Sequence, residues 1–164
     1  MEPVPAEIVE ATWQEIAGMS VEEFAPLAER FVREQPYLRD FLMDDGPGML
    51  NAEEQQLLLY MGLVIWQMME RVAGKRLPMV TPESLDHADE RNFRAFERLV
   101  GKSPAVLTRE AEKIVHKCNQ VEVLRYVTET LEEDFNEEDD GITEIGKGFI
   151  FISLKTVIEA LDML

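Results

Sequence analysis

Two Glu–His pairs and one arginine series are the residues of this chain whose types and spacing could do chemistry. Glu83 and His87 stand four positions apart, as do Glu112 and His116, and residues at i and i+4 share one face of a helix. If the helices that carry them pack antiparallel, two imidazole nitrogens and several carboxylate oxygens meet, a donor set suited to a transition metal or another divalent cation. Di-iron bundles space the pair as Glu-x-x-His, one residue tighter than here, and the other reading is two ordinary surface helix pairs. Arg91, Arg94 and Arg98 follow helical spacing as well, with Lys75, Arg76 and Lys102 near the ends of the same helix. Guanidinium forks take carboxylate and phosphate bidentately, so the series could contact an anion or a partner protein. It can equally act as internal counter-charge, because Glu90 precedes Arg94 by one helical turn, the favourable order for an ion pair.

Two weaker signals stand beside these. Asn136, Glu138 and Asp140 alternate before Gly141, as the first ligands of a calcium loop precede its glycine. The twelfth position, where a bidentate glutamate belongs, is Lys147, so an EF-hand is not expected and the acidic run 132–140 reads as a solvated connection. Cys118 follows His116 by two residues, a spacing that points side chains about 200° apart on a helix and argues against an activated thiol. Gly-x-Ser-x-Gly, a phosphate-cradling glycine loop and Cys-x-x-Cys are all missing, which removes the commonest hydrolase, kinase, dinucleotide and redox readings.

Composition narrows the partners. A net charge of −17 sets up a negative field that repels phosphate backbones and anionic lipid, so neither nucleic acid nor a membrane surface is the expected partner. A protein partner with a basic or amphipathic segment, or a cation, fits better, and a homodimer is compatible with the same residues. Residues 1–50 carry 11 acids against 3 bases and residues 102–164 carry 14 against 7, while 51–101 carry 8 against 6. The nearly neutral middle would let acidic outer helices lie against a segment that supplies arginines. The single cysteine excludes an internal disulfide framework. The first ten residues have neither the basic nor the apolar region of a secretory leader, so the cytoplasm is the expected address.

The elements that must position these residues are helical. Residues 55–69 contain no charge, and a helix apolar on all sides must be covered all round. Gln55, Gln56 and Gln67 and its short length argue against a membrane span. Asn51 with Glu54, and Ser20 with Glu23, have the spacing of capping boxes; Thr81-Pro82 and Ser103-Pro104 pair a side-chain cap with a proline at the first helical position. Gly74 is placed as a left-handed stop. These signals predict a single all-α domain, residues 1–164, of about seven helices around a central helix at about 52–73. The spacing predicts a helix over about 82–100 with Leu85, Phe93, Phe96, Leu99 and Val100 as its buried side. Segment 148–153 has strand-like composition, but its continuation through Leu154, Val157, Ile158 and Leu161 predicts a second buried helix. Met61, Met68 and Met69 beside Tyr60 and Trp66 read as core filling or as an adaptable docking groove. The expected role is a non-enzymatic protein-interaction, regulatory or chaperone-like module without a cofactor, the alternative being a metalloprotein built on the Glu–His pairs.

Overall fold

Nine consecutive residues, 61–69, are buried on every side of their helix, and the rest of the architecture follows from the need to enclose them. The computed structural model describes residues 1–44, 48–133 and 141–164, and among these the secondary structure is helical. The helices are α1 Ala6–Ala17, α2 Val21–Glu34, α3 Pro36–Met43, α4 Ala52–Ala73, α5 Pro82–Glu97, α6 Pro104–Lys117, α7 Val121–Glu133 and α8 Glu144–Asp162. Asn136, Glu138 and Asp140, the three residues with calcium-loop spacing, lie outside the described residues. No helix among the described residues is long and apolar enough to cross a membrane.

Local sequence sets most of the boundaries. Asn51 Oδ1 accepts from the Glu54 amide at 2.9 Å while Glu54 Oε1 accepts from the Asn51 amide at 3.0 Å, closing the box that starts α4. Gly74 ends it at φ +64°, a backbone state open to glycine and strained for other residues. Thr81 and Ser103 cap α5 and α6, each followed by its proline. The eighth helix, one more than expected, is α3. Pro36 fixes its first turn, and Leu38 and Leu42, one turn apart, are fully buried. It lies so close on α4 that a Cβ at Gly62 would come within 2.4 Å of Leu42 Cδ1.

α4 is enclosed by α1, α3, α7 and α8, and by the side chains of α2. Phe31 of α2 packs on Trp66 with ring centroids 5.3 Å apart, and the Arg30 guanidinium lies 4.4 Å from the centre of the Trp66 ring. Met61, Met68, Met69 and Trp66 are fully buried, so the thioether-rich face is core and no docking groove opens there. Each such side chain contributes roughly 1.5–3 kcal/mol by leaving water. α8, which contains segment 148–153, is the second internal helix and packs along both α4 and α5. α6 is peripheral: it rests on α7 and buries only Val115.

A buried carboxylate joins the two internal helices at their N-terminal ends. Glu54, only 2% exposed, accepts from the Thr143 amide at 3.1 Å and the Thr143 hydroxyl at 2.9 Å through Oε2, besides capping its own helix. Helix N-termini present unpaired amides and favour negative charge. The fit requires glycine on α8, because a Cβ at Gly146 would stand 1.3 Å from Glu54 Oε2.

Candidate functional site

α5 owes its chemistry to the 100° step between successive helical residues, which sorts its sequence into three strips. One strip, Leu85, Ala88 and Asn92, is buried against α8, with Phe96 and Leu99 half-buried beside it. Phe93 and Val100, expected on this side, are exposed instead; they sit about 100° away from the strip's axis, so they belong with Asp86 and Glu97 on a second, outward strip. The third strip carries His87, Glu90, Arg91, Arg94, Ala95 and Arg98, and these residues line an open groove of about 430 Å3. The arginine series inferred from spacing alone therefore does share one concave surface.

Behind the groove, α8 braces Arg91 through a hydrogen-bond network. Arg91 donates to Glu159 of α8 at 2.7 Å. Glu159 in turn accepts from Asn92 Nδ2 at 3.0 Å and from Lys155 Nζ, while Lys155 also donates to Asn92 Oδ1 at 2.7 Å. Asn92 completes its bonding by donating to the Thr156 hydroxyl at 3.0 Å. Burial pushes the Glu159 carboxyl up, but the hydrogen bonds from Lys155, Arg91 and Asn92 outweigh it and hold the group below the ordinary carboxylate value. Glu159 thus stays ionised and fixes the direction in which Arg91 points. Arg94 and Arg98 differ. Arg94 meets only Glu90, at 4.0 Å, with both side chains more than two-thirds exposed, and Arg98 has no carboxylate partner among the described residues. Three arginines, Arg91, Arg94 and Arg98, line the groove with one carboxylate, Glu90, while Glu159 and Lys155 stand behind Arg91.

No family model matches this chain, nor does any curated protein or solved structure.

The Glu–His pairs do not converge into a ligand set. Glu83 and His87 are exposed on α5, Glu112 and His116 are exposed on α6, and among the described residues no group of three or more His, Cys, Asp or Glu is arranged to hold a metal ion. The physical reason is the packing: α5 lies on α8 and α6 on α7, so the two helices do not turn their histidine faces toward each other. Cys118 caps the end of α6, which stops between it and His116. Burial pushes its thiol up from the ordinary value, with Glu159 and Asp162 adding to that and the Gln120 amide and Lys155 opposing it, so the group is held as a neutral thiol.

Sequence reasoning missed Asn92, Lys155 and Glu159. Asn92 occupies an inward position of a helix whose other inward residues are apolar, and this was the available signal: a polar residue on a core strip needs partners on the facing element.

Proposed function

We propose that this protein is a non-enzymatic interaction module, regulatory or chaperone-like, that holds a partner protein against the outer face of α5. The observation that carries this reading is the groove, where Arg98 has no carboxylate partner among the described residues and Arg94 only an exposed one at 4.0 Å, beside an Arg91 fixed from behind. Arg91, held by Glu159, loses less side-chain freedom on meeting a ligand than a mobile surface cation does. The charge distribution supports it as well. Residues 82–117, which form α5, α6 and their connection, carry seven acids and seven bases; the whole excess of negative charge resides in the remainder of the chain. That remainder would attract basic stretches of a partner and raise the association rate, while the groove supplies register. With the methionine-rich face of α4 enclosed, contact is made at the periphery. The cytoplasm is the compartment this reading assumes.

The test is quantitative co-purification from the native cell, comparing the tagged chain with the Arg94→Glu/Arg98→Glu variant. At least one protein recovered with the original should fall tenfold or more with the variant. Identical recoveries from both, or no protein recovered by the original, defeat the proposal.

A further inference from the structure

We infer that the α5 groove receives a phosphoryl group carried on a basic segment of the partner, an inference that rests on the interaction role proposed above and names its chemistry. Arg94 and Arg98 are one turn apart, about 6 Å along the helix axis at roughly 1.5 Å per residue, so their guanidinium groups can close on one oxyanion from two sides. Arg91 adds a third fork whose direction is set by Glu159, itself held by Asn92 and Lys155. His87 lines the same groove and contributes an imidazole. One fork satisfies a carboxylate. A phosphoryl group, with three strong acceptor oxygens and about −1.5 to −2 charge at neutral pH, matches three forks. The one acid at the mouth, Glu90, lies 4.0 Å from Arg94 and is 74% exposed, so it can swing aside into water.

The field of the whole molecule chooses the carrier. A segment rich in Asp and Glu would be repelled along its length by a chain of net charge −17, and a nucleic acid more so. A Lys- and Arg-rich segment with a single phosphoryl group is attracted everywhere except at that group, which meets a concavity where Arg98 has no carboxylate partner among the described residues and Arg94 has only Glu90, at 4.0 Å. Recognition would thus require both signs of charge in a set order.

The experiment measures fluorescence anisotropy of a short Lys-rich peptide carrying one phosphoserine, beside its serine and glutamate counterparts, with the full chain at physiological ionic strength. The phosphoserine peptide should bind at least tenfold more tightly than the serine peptide, with the glutamate form between them. Arg94→Ala/Arg98→Ala should bring all three to one affinity, and Arg33→Ala, an exposed residue outside the groove, should leave the preference intact. Equal or undetectable binding of the phosphoserine and serine peptides, or a preference that survives Arg94→Ala/Arg98→Ala, overturns the inference. So does inorganic phosphate or a short single-stranded oligonucleotide that competes as well as the phosphopeptide. If the co-purified partner is lost with Arg94→Glu/Arg98→Glu but is retained after phosphatase treatment, the interaction role stands and the phosphoryl assignment falls.

Discussion

Two basic grooves of about 430 Å3 each open on this protein, and they differ in what their cations are doing. The one at the C-terminal end of α4 is lined by Arg30, Glu70, Arg71, Gly74, Lys75 and Arg76. Its arginines are spoken for: Arg30 binds Glu70 at 2.7 Å and Glu34 at 3.0 Å, Arg71 binds Glu15 at 2.6 Å, and Arg76 binds Glu34 at 2.8 Å. Those acids come from α1, α2 and α4 itself, so the groove is a joint that ties three helices together. In the α5 groove only Arg91 is committed in this way, and the carboxylate that holds it is shared with Lys155. Equal volume and similar residues thus give a fastening in one place and exposed, weakly paired arginines in the other. What separates them is whether neighbouring helices bring carboxylates to meet the arginines.

The sharpest way to break this comparison is to remove Arg30. Its guanidinium lies over Trp66 and its forks meet Glu70 and Glu34, which are only 11% and 16% exposed; the Glu70 hydrogen bond, against the opposing effect of burial, holds Arg30 still more firmly in its charged form. Arg30→Ala should lower the unfolding free energy by about 2–3 kcal/mol, the range for leaving a partly buried carboxylate unpaired and losing a cation–π contact. Urea unfolding at neutral pH measures it. A loss under about 0.5 kcal/mol would mean that the first groove is no more a fastening than the second.

Asn92 comes next. It is 2% exposed and joins α5 to Lys155, Thr156 and Glu159 of α8. Asn92→Ala should cost about 1–2 kcal/mol through the buried groups it leaves without partners. In a double-mutant cycle with Thr156→Ala the two losses should fail to add, since they share a hydrogen bond. Additive losses would show that Asn92 and Thr156 are not coupled across the α5–α8 contact.

How much of this was legible beforehand depended on whether the cause lay close in sequence. The start and stop of α4 follow from Asn51, Glu54 and Gly74, all within one turn of the boundary they set, and the starts of α5 and α6 from Thr81-Pro82 and Ser103-Pro104. The arginine spacing along α5 was readable for the same reason. α3 was not, because eight residues are too few to display a clear apolar period, and Leu38 and Leu42 are buried by a distant glycine on α4 that lets the helices touch. The network behind Arg91 was hidden for a stronger reason: Asn92 and Thr156 are 64 positions apart, and nothing local announces which helix will face α5. The same ignorance left the Glu–His pairs open until packing placed α5 on α8 and α6 on α7.

A smaller effect, dependent on pH, sharpens the account of Glu159. Its folded-state value lies below the ordinary 4.5, so its contribution is complete above that value and is lost as pH falls through the lowered one. Other carboxylates also titrate in this window, so the informative quantity is a difference between proteins. Below pH 4.5 the original chain should lose stability more steeply than Glu159→Gln, which has no such group to protonate. Parallel curves for the two would show that Lys155 and Arg91 do not hold the carboxylate down.

The smallest change is expected where the comparison matters most. Arg94 is 72% exposed and its one carboxylate contact is at 4.0 Å, a geometry in which an ion pair contributes between nothing and about 1 kcal/mol. Arg94→Ala/Arg98→Ala should therefore shift the unfolding free energy by no more than about 0.5 kcal/mol. The variant is two charges more negative than a chain already at −17, so part of any loss is general self-repulsion, which salt screens. Urea unfolding at low and at high ionic strength separates the causes. A loss that vanishes with salt reflects the field of the whole chain, whereas a loss above about 1 kcal/mol that persists would make the pair internal counter-charge. The α5 groove would then be a second fastening, and the contrast with α4 would disappear.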